Sequence, residues 1–390
     1  MKFEPSAIKK EETEEIIDTL ISHVTKSDEE IVQEAEKKRK STELKVFIAD
    51  NTGFELGTIN SKLQELYSNG SPSDYVINFI DDHTFEEEIL NGDVSYLEIQ
   101  TPKYSRVDQF ILLEKEDYLR VLTVERRYWT KRTIERLIRY LPGLDRIFLS
   151  SEDLEETVLE EEDNTHLSGF TAKHKPYYSE KELSIQFHGG EESDLRKVES
   201  EFDARPTRVE FGQKNSPTDA VKGAVRQDGY YSIPTIRAGS EELGYQTIMS
   251  ISDSLENHDR ANFDIGHRPR QEFEEGFSIE GYTRILLNEE SEGRSDIVTD
   301  GGREELIEKL EENILDYKQR YKYSVWDDGD FHVFDTETRV PFQVGVEGKD
   351  LVLFAKPATT SKALREFSRI VLEEFNSTYS FEKESQQLSI

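Results

Sequence analysis

The carboxylates of this chain are not gathered into an acidic tail; they run through every element that its hydrophobic pattern predicts. With 82 Asp and Glu against 49 Lys and Arg, the formal net charge is −33 over 390 residues. A fold made from such a chain must spread carboxylates over its whole surface and still find apolar residues for its cores. Like charges at this density repel over a Debye length of ~10 Å at 0.1 M salt but only ~3 Å at 1 M. The dispersed acid therefore points to a surface built for high salt.

Charged content of 34% and hydrophobic content of 35% would suit a disordered chain were the aromatics few. They are not: 21 Phe, 17 Tyr and 2 Trp recur at strand and helix spacing, which is enough to fill cores. At the usual ~100–200 residues per domain the length predicts two to three domains. The acid pattern resembles that of the cytoplasmic proteins of salt-in halophiles. With no cysteine, disulfides, thiolate metal sites and cysteine nucleophiles are all excluded. Met1–Lys10 holds no apolar run of the signal-peptide kind, and no stretch nears the ~18 apolar residues of a membrane span, so a cytoplasmic location is expected.

Periodicity divides the chain. Residues 1–42 read as a helical arm: Ile17, Leu20, Ile21 and Val24 share one face, and Ser27 with Glu30 forms a capping box for a second helix. A helical hairpin of this kind packs or dimerises, so packing on the rest of the chain and a homo-oligomer through these N-terminal helices are the two expectations. Residues 43–163 read as an α+β domain with buried strands at Leu44–Ile48 and Tyr75–Ile80, and a hairpin turning at Lys115-Glu116-Asp117. A helix is predicted over Lys131–Leu141, with Thr130 as N-cap, Trp129 stapled onto Ile134, and Gly143 as the stop. Arg146–Leu149 reads as another strand, and the acidic run from Glu152 to Asp163 as a short helix fraying into a linker, with a boundary near Asn164.

Residues 164–288 hold two passages of β-β-α-β rhythm. In the first, Leu183, Ile185 and Phe187 alternate as a strand, Leu195, Val198 and Phe202 mark a helix face, and Val209 and Phe211 a returning strand. The second has a hairpin at Asp228-Gly229, a helix marked by Leu243, Ile248, Ile251 and Leu255, and a strand region over Phe277–Leu287. After a linker at Glu289–Gly302, residues 300–390 read as an α-β-β-β-β-α module. The predicted fold is thus α+β: several mainly antiparallel sheet modules of β-β-α-β type with helices on one face, preceded by an N-terminal helical hairpin.

Most catalytic chemistries fail on spacing. No two of the eight histidines stand at i, i+4, as a helical zinc pair requires. Gly345-Val346-Glu347-Gly348-Lys349-Asp350 lacks the first glycine and the hydroxyl residue of a phosphate loop, and reads as a hairpin turn. Gly-x-Ser-x-Gly is absent, which leaves His188-Gly189-Gly190 as a strand-to-helix turn whose helix end favours Glu191 and Glu192. One metal-nuclease constellation remains as the alternative reading. Asp335, with Asp330 before it, and Glu347-x-Lys349 resemble the residues that nucleases of the PD-(D/E)xK type place around Mg²⁺.

The positive signal is local charge. Within this acidic chain, Arg120 to Arg146 carries Arg120, Arg126, Arg127, Lys131, Arg132, Arg136, Arg139 and Arg146, opposed only by Glu125, Glu135 and Asp145. Arg132, Arg136 and Arg139 share the polar face of the predicted helix, and Tyr128 and Trp129 lie at its start. Arginine beside aromatic rings suits phosphate contact and base stacking. The competing explanation is that these arginines are internal counter-charges. The sequence therefore predicts a non-catalytic binding or assembly protein that docks a protein partner or nucleic acid through Arg126, Arg127, Tyr128, Trp129, Arg132, Arg136 and Arg139, with no cofactor. The alternative is a metal-dependent nuclease or phosphohydrolase using Asp335, Glu347 and Lys349.

Overall fold

Two mainly antiparallel sheets, of twelve and six strands, carry the fold, with helices packed on them. The computed structural model describes residues 13–37, 42–68, 74–159, 165–176, 182–214, 219–265, 270–272, 278–280, 282–289, 303–316, 320–327, 329–377 and 379–386. The chain forms two units whose segments interleave along the sequence. The first comprises residues 1–147, 156–168 and 209–256; the second comprises 148–155, 169–208 and 257–390. The boundary expected near Asn164 and the linker over 290–302 lie outside the described residues.

In the first unit, the strand Leu44–Asn51 has every residue buried and pairs with Tyr118–Thr123 on one side and Tyr230–Arg237 on the other. The ladder continues from Tyr118–Thr123 through Arg106–Lys115 and Val94–Thr101 to Thr84–Ile89. The helices Ile59–Ser68, Asp74–Asp81 and Ile134–Tyr140 share a core with its inner face, built on Phe47, Phe79, Phe110, Leu112, Val121 and Leu137. Each such side chain taken fully out of water contributes roughly 1.5–3 kcal/mol. The N-terminal helix Thr13–Ser22 buries Ile16, Ile17, Leu20 and Ile21 by packing within the chain. The capping box at the next helix, Asp28–Lys37, forms as predicted: Glu30 Oε2 accepts from the Ser27 N–H at 2.9 Å. Gly229 closes the hairpin between Asp219–Arg226 and Tyr230–Arg237 at φ +67°, where only glycine is unstrained.

Tyr75–Ile80 is not the predicted strand. It lies in the helix Asp74–Asp81, where only Phe79 is buried and Tyr75 is 81% exposed. A six-residue apolar run fits either period, and Asp74 at the N-terminus suits the helix dipole. Arg146–Leu149 differs in part: the strand is Leu144–Arg146, and Ile147 to Leu149 are buried without extending it. Phe202, expected on the inner face of the helix Glu192–Phe202, is 47% exposed at its end.

The second unit contains the six-stranded sheet in the order Tyr321–Asp327, Asp330–Asp335, Val340–Glu347, Asp350–Ala355, Tyr282–Glu289, Tyr379–Gln386, every pair antiparallel. The helices Arg303–Leu310 and Ser361–Ile370 each continue into a π-helical turn and bury Leu306, Leu310, Leu364 and Phe367 against Phe331, Val333, Phe342, Val344, Leu351 and Leu353. The Thr360 hydroxyl caps the second helix by accepting from the Ala363 N–H. Within 303–375 the elements follow the order α-β-β-β-β-α, and the sheet takes in two further strands beyond Asp350–Ala355: Tyr282–Glu289, which precedes residue 300, and Tyr379–Gln386. Its helices lie on one face, and Lys322, Ser324 and Phe334 point outward on the other.

Candidate nucleic-acid interface

The predicted helix over Lys131–Leu141 is interrupted. One helical turn, Arg127–Thr130, is followed by three turn residues, and the helix proper is Ile134–Tyr140. Two threonines mark the interruption. Thr130 Oγ1 donates to the Arg127 carbonyl at 3.1 Å and Thr133 Oγ1 to the Trp129 carbonyl at 3.0 Å, beside the Lys131 and Thr133 N–H groups that the same carbonyls accept, and the N-cap of Ile134–Tyr140 is Thr133 at φ −110°. Thr130 is therefore not an N-cap. Trp129 meets Tyr104 at 5.4 Å and Tyr128 at 5.0 Å between ring centroids, both edge-to-face. Gly143 stops the segment as predicted: at φ +87° it sits where a Cβ would come within 2.8 Å of the Gly53 and Phe54 backbone.

The arginines separate into two sets. Arg120, 1% exposed, is held by Glu256 and Asp253 of the helix Glu241–Phe263. Arg127 pairs with Glu135, and its guanidinium lies 4.1 Å from the Tyr230 ring centroid. Arg146 reaches Glu135 at 3.4 Å and Asp228 at 2.7 Å. These three are internal counter-charges, and Arg127, expected among the binding residues, belongs with them. Arg126, Lys131, Arg136 and Arg139 are exposed and Arg132 is half-buried; none of the five has a carboxylate partner among the described residues. The Lys131 ammonium is held below its ordinary pKa, chiefly by the neighbouring Arg127 guanidinium, as expected where cations crowd.

Three residues that the sequence reading left out complete the surface. Lys103 and Tyr104 come from the turn Pro102–Tyr104, which precedes the strand beginning at Arg106. Tyr104 is 52% exposed, Tyr128 is 56% exposed, and Arg132 lies 4.0 Å over the Tyr128 ring. Arg106 lies 4.8 Å over Trp129 and is fixed from beneath by Asp108 at 2.6 Å and by Glu125. Burial raises both carboxyl pKa values, against the lowering influence of the Arg106 guanidinium. These two carboxylates hold the guanidinium against the indole. The only sequence signal for this partnership is that Lys103, Tyr104 and Arg106 are cations and an aromatic at a proline turn; their approach to Trp129 depends on sheet topology.

The nuclease residues are not brought together. Asp335 is fully buried and engaged by Arg320 at 3.1 and 2.8 Å, and it aligns with Val340. Glu347 aligns with Asp350 at the other end of the strand Val340–Glu347, roughly 24 Å from Val340 at ~3.4 Å per residue. Its side chain lies 3.6 Å from Arg284, and Lys349 belongs to the turn at Gly348. Among the described residues no group of three or more His, Asp or Glu is placed to hold a metal ion. No protein-family model matches the sequence, and no curated protein matches it.

The surface around Tyr104, Tyr128 and Trp129 thus offers uncompensated cations for phosphates and ring faces for flat ligands, on a rigid underlayer.

Proposed function

We propose that this is a polyanion-binding protein, and more narrowly that its ligand is an unpaired nucleic-acid strand. The carrying observation is one grouping: five cations without carboxylate partners among the described residues, in the segment 126–139 whose Trp129 also meets Tyr104 and Tyr128 and whose Arg132 lies over Tyr128, in a chain of net charge −33. Exposed tyrosines favour single strands over duplexes, whose base faces are hidden, and base stacking contributes ~1–3 kcal/mol per base. An acidic protein would satisfy the cations but has no need of the rings. The dispersed carboxylate surface supports work in a salt-rich cytoplasm. There counterion release adds little to affinity, and stacking must supply more of it.

The test is fluorescence anisotropy with a labelled oligouridylate and with the same length of duplex. The single strand should bind more tightly, and Tyr128→Ala should weaken it by ~1–3 kcal/mol. Equal affinity for single strand, duplex and polyglutamate would refute the reading.

A further inference from the structure

The outward face of the second unit's sheet carries another aromatic surface, which the reading above does not use. Antiparallel register sets Lys322 beside Phe334 and Phe334 beside Pro341, and sets Ser324 beside His332 and His332 beside Gln343. These side chains alternate with Tyr321, Phe331, Val333 and Phe342, which enter the core. Trp326, at a register shift of the edge strand, is 76% exposed, and its ring lies 4.9 Å from the His332 ring at 31°. Phe334 is 40% exposed.

Between these strands and the segment Lys356 to Ala358 lies an open groove of about 580 Å³, which His332 and Phe334 help to line. In a chain with 82 acidic residues, no Asp or Glu stands among the described residues that line it. Lys322 is exposed and has no carboxylate partner among the described residues. Lys356 Nζ reaches Gln343 Oε1 at 3.2 Å. An uncovered sheet face ordinarily presents polar side chains to water. This one presents an indole, an imidazole, a phenyl ring and two ammonium groups.

We infer that this groove, with Trp326 beside it against the His332 ring, is a second stacking platform for an unpaired nucleic-acid strand, taking two or three bases on Trp326, His332 and Phe334 with phosphates at Lys322 and Lys356. The inference rests on the proposed ligand class but on different residues, in the other unit. Flat rings with cations beside them match bases joined by phosphates. An acidic peptide would use the lysines alone or add to the edge strand Tyr321–Asp327.

The chain has two tryptophans, and they fall one in each surface, Trp129 and Trp326. Trp129→Phe therefore leaves Trp326 as the sole indole, and Trp326→Phe leaves Trp129; Trp129→Tyr serves if Trp129→Phe does not fold. Titrating the full chain with a short oligothymidylate should quench Trp326 emission in the Trp129→Phe variant. Adding Lys322→Glu should raise the half-quenching concentration about tenfold or more, through lost phosphate contact. Polyglutamate should leave the emission unchanged. If Trp326 stays silent while Trp129 is quenched in the converse variant, the second platform is refuted and the first reading stands. If Trp129 is silent and Trp326 responds, the first reading fails and this one stands. Silence at both refutes both, and quenching of Trp326 by polyglutamate makes the occupant an acidic polypeptide and refutes the platform.

Discussion

The C-terminal module and the segment from Arg126 to Arg139 are both rich in arginine, and they handle it in opposite ways. In the module, Arg365 is clasped by Asp259 through two bonds of 2.8 Å, Arg320 by Asp335, and Arg369 by Glu366 at 2.9 Å and Glu373 at 2.5 Å. In the segment, Arg126, Arg132, Arg136 and Arg139 have no such carboxylates among the described residues. A cluster of cations in sequence is therefore poor evidence of a binding face. The partner of each decides, and in a chain this acidic a cation left unneutralised is the informative one. The boundary between the two treatments runs inside the basic segment itself, since Arg120, Arg127 and Arg146 behave like the arginines of the module.

The sharpest way to break this comparison is to remove a clasped arginine. Arg365→Met strands the Asp259 carboxylate, itself 1% exposed, and should cost about 3–5 kcal/mol in urea denaturation. Adding Asp259→Leu should recover much of that loss, because a buried pair replaced by apolar groups of similar size is often neutral. A cost below about 1 kcal/mol for the single change would remove the distinction between clasped and open arginines.

A second prediction concerns the surface on which both regions sit. If repulsion among dispersed carboxylates limits stability, the melting temperature should climb by many degrees between about 0.1 M and about 2 M KCl. A flat or falling curve would show that the acidic surface is not the limiting term. The smallest effect belongs to the open arginines: Arg136→Ala and Arg139→Ala should each change stability by no more than ~0.5 kcal/mol. A larger loss in either would reveal a structural contact.

The same contrast explains what could be read in advance. The module was legible because Phe331 and Val333, Phe342, Val344 and Val346, and Leu351 and Leu353 alternate strictly, and alternation under a helical cover has one solution. Its two added strands, Tyr282–Glu289 and Tyr379–Gln386, pair across long sequence separations that no local pattern encodes. The run at Tyr75–Ile80 failed for the opposite reason, being too short for either period to dominate. In the candidate interface, the sequence supplied the segment but not the sorting. Nothing local to Arg127 announces Glu135 and Tyr230, and nothing local to Trp129 announces Tyr104 and Arg106. The second platform was invisible for the same reason: Trp326, His332 and Phe334 become neighbours only through strand register.

The most direct test of the central claim is the triple reversal Arg132→Glu, Arg136→Glu, Arg139→Glu. Affinity for the oligouridylate would be measured across a KCl series, with the melting temperature as a fold control. Each phosphate contact on a single strand adds ~0.7 to the slope of log K against log salt. The account predicts an unchanged melting temperature, sharply weaker binding at low salt, and a slope shallower by about 2. Wild-type affinity and slope in the reversed protein, or its unfolding, would contradict the account and return these arginines to the internal set.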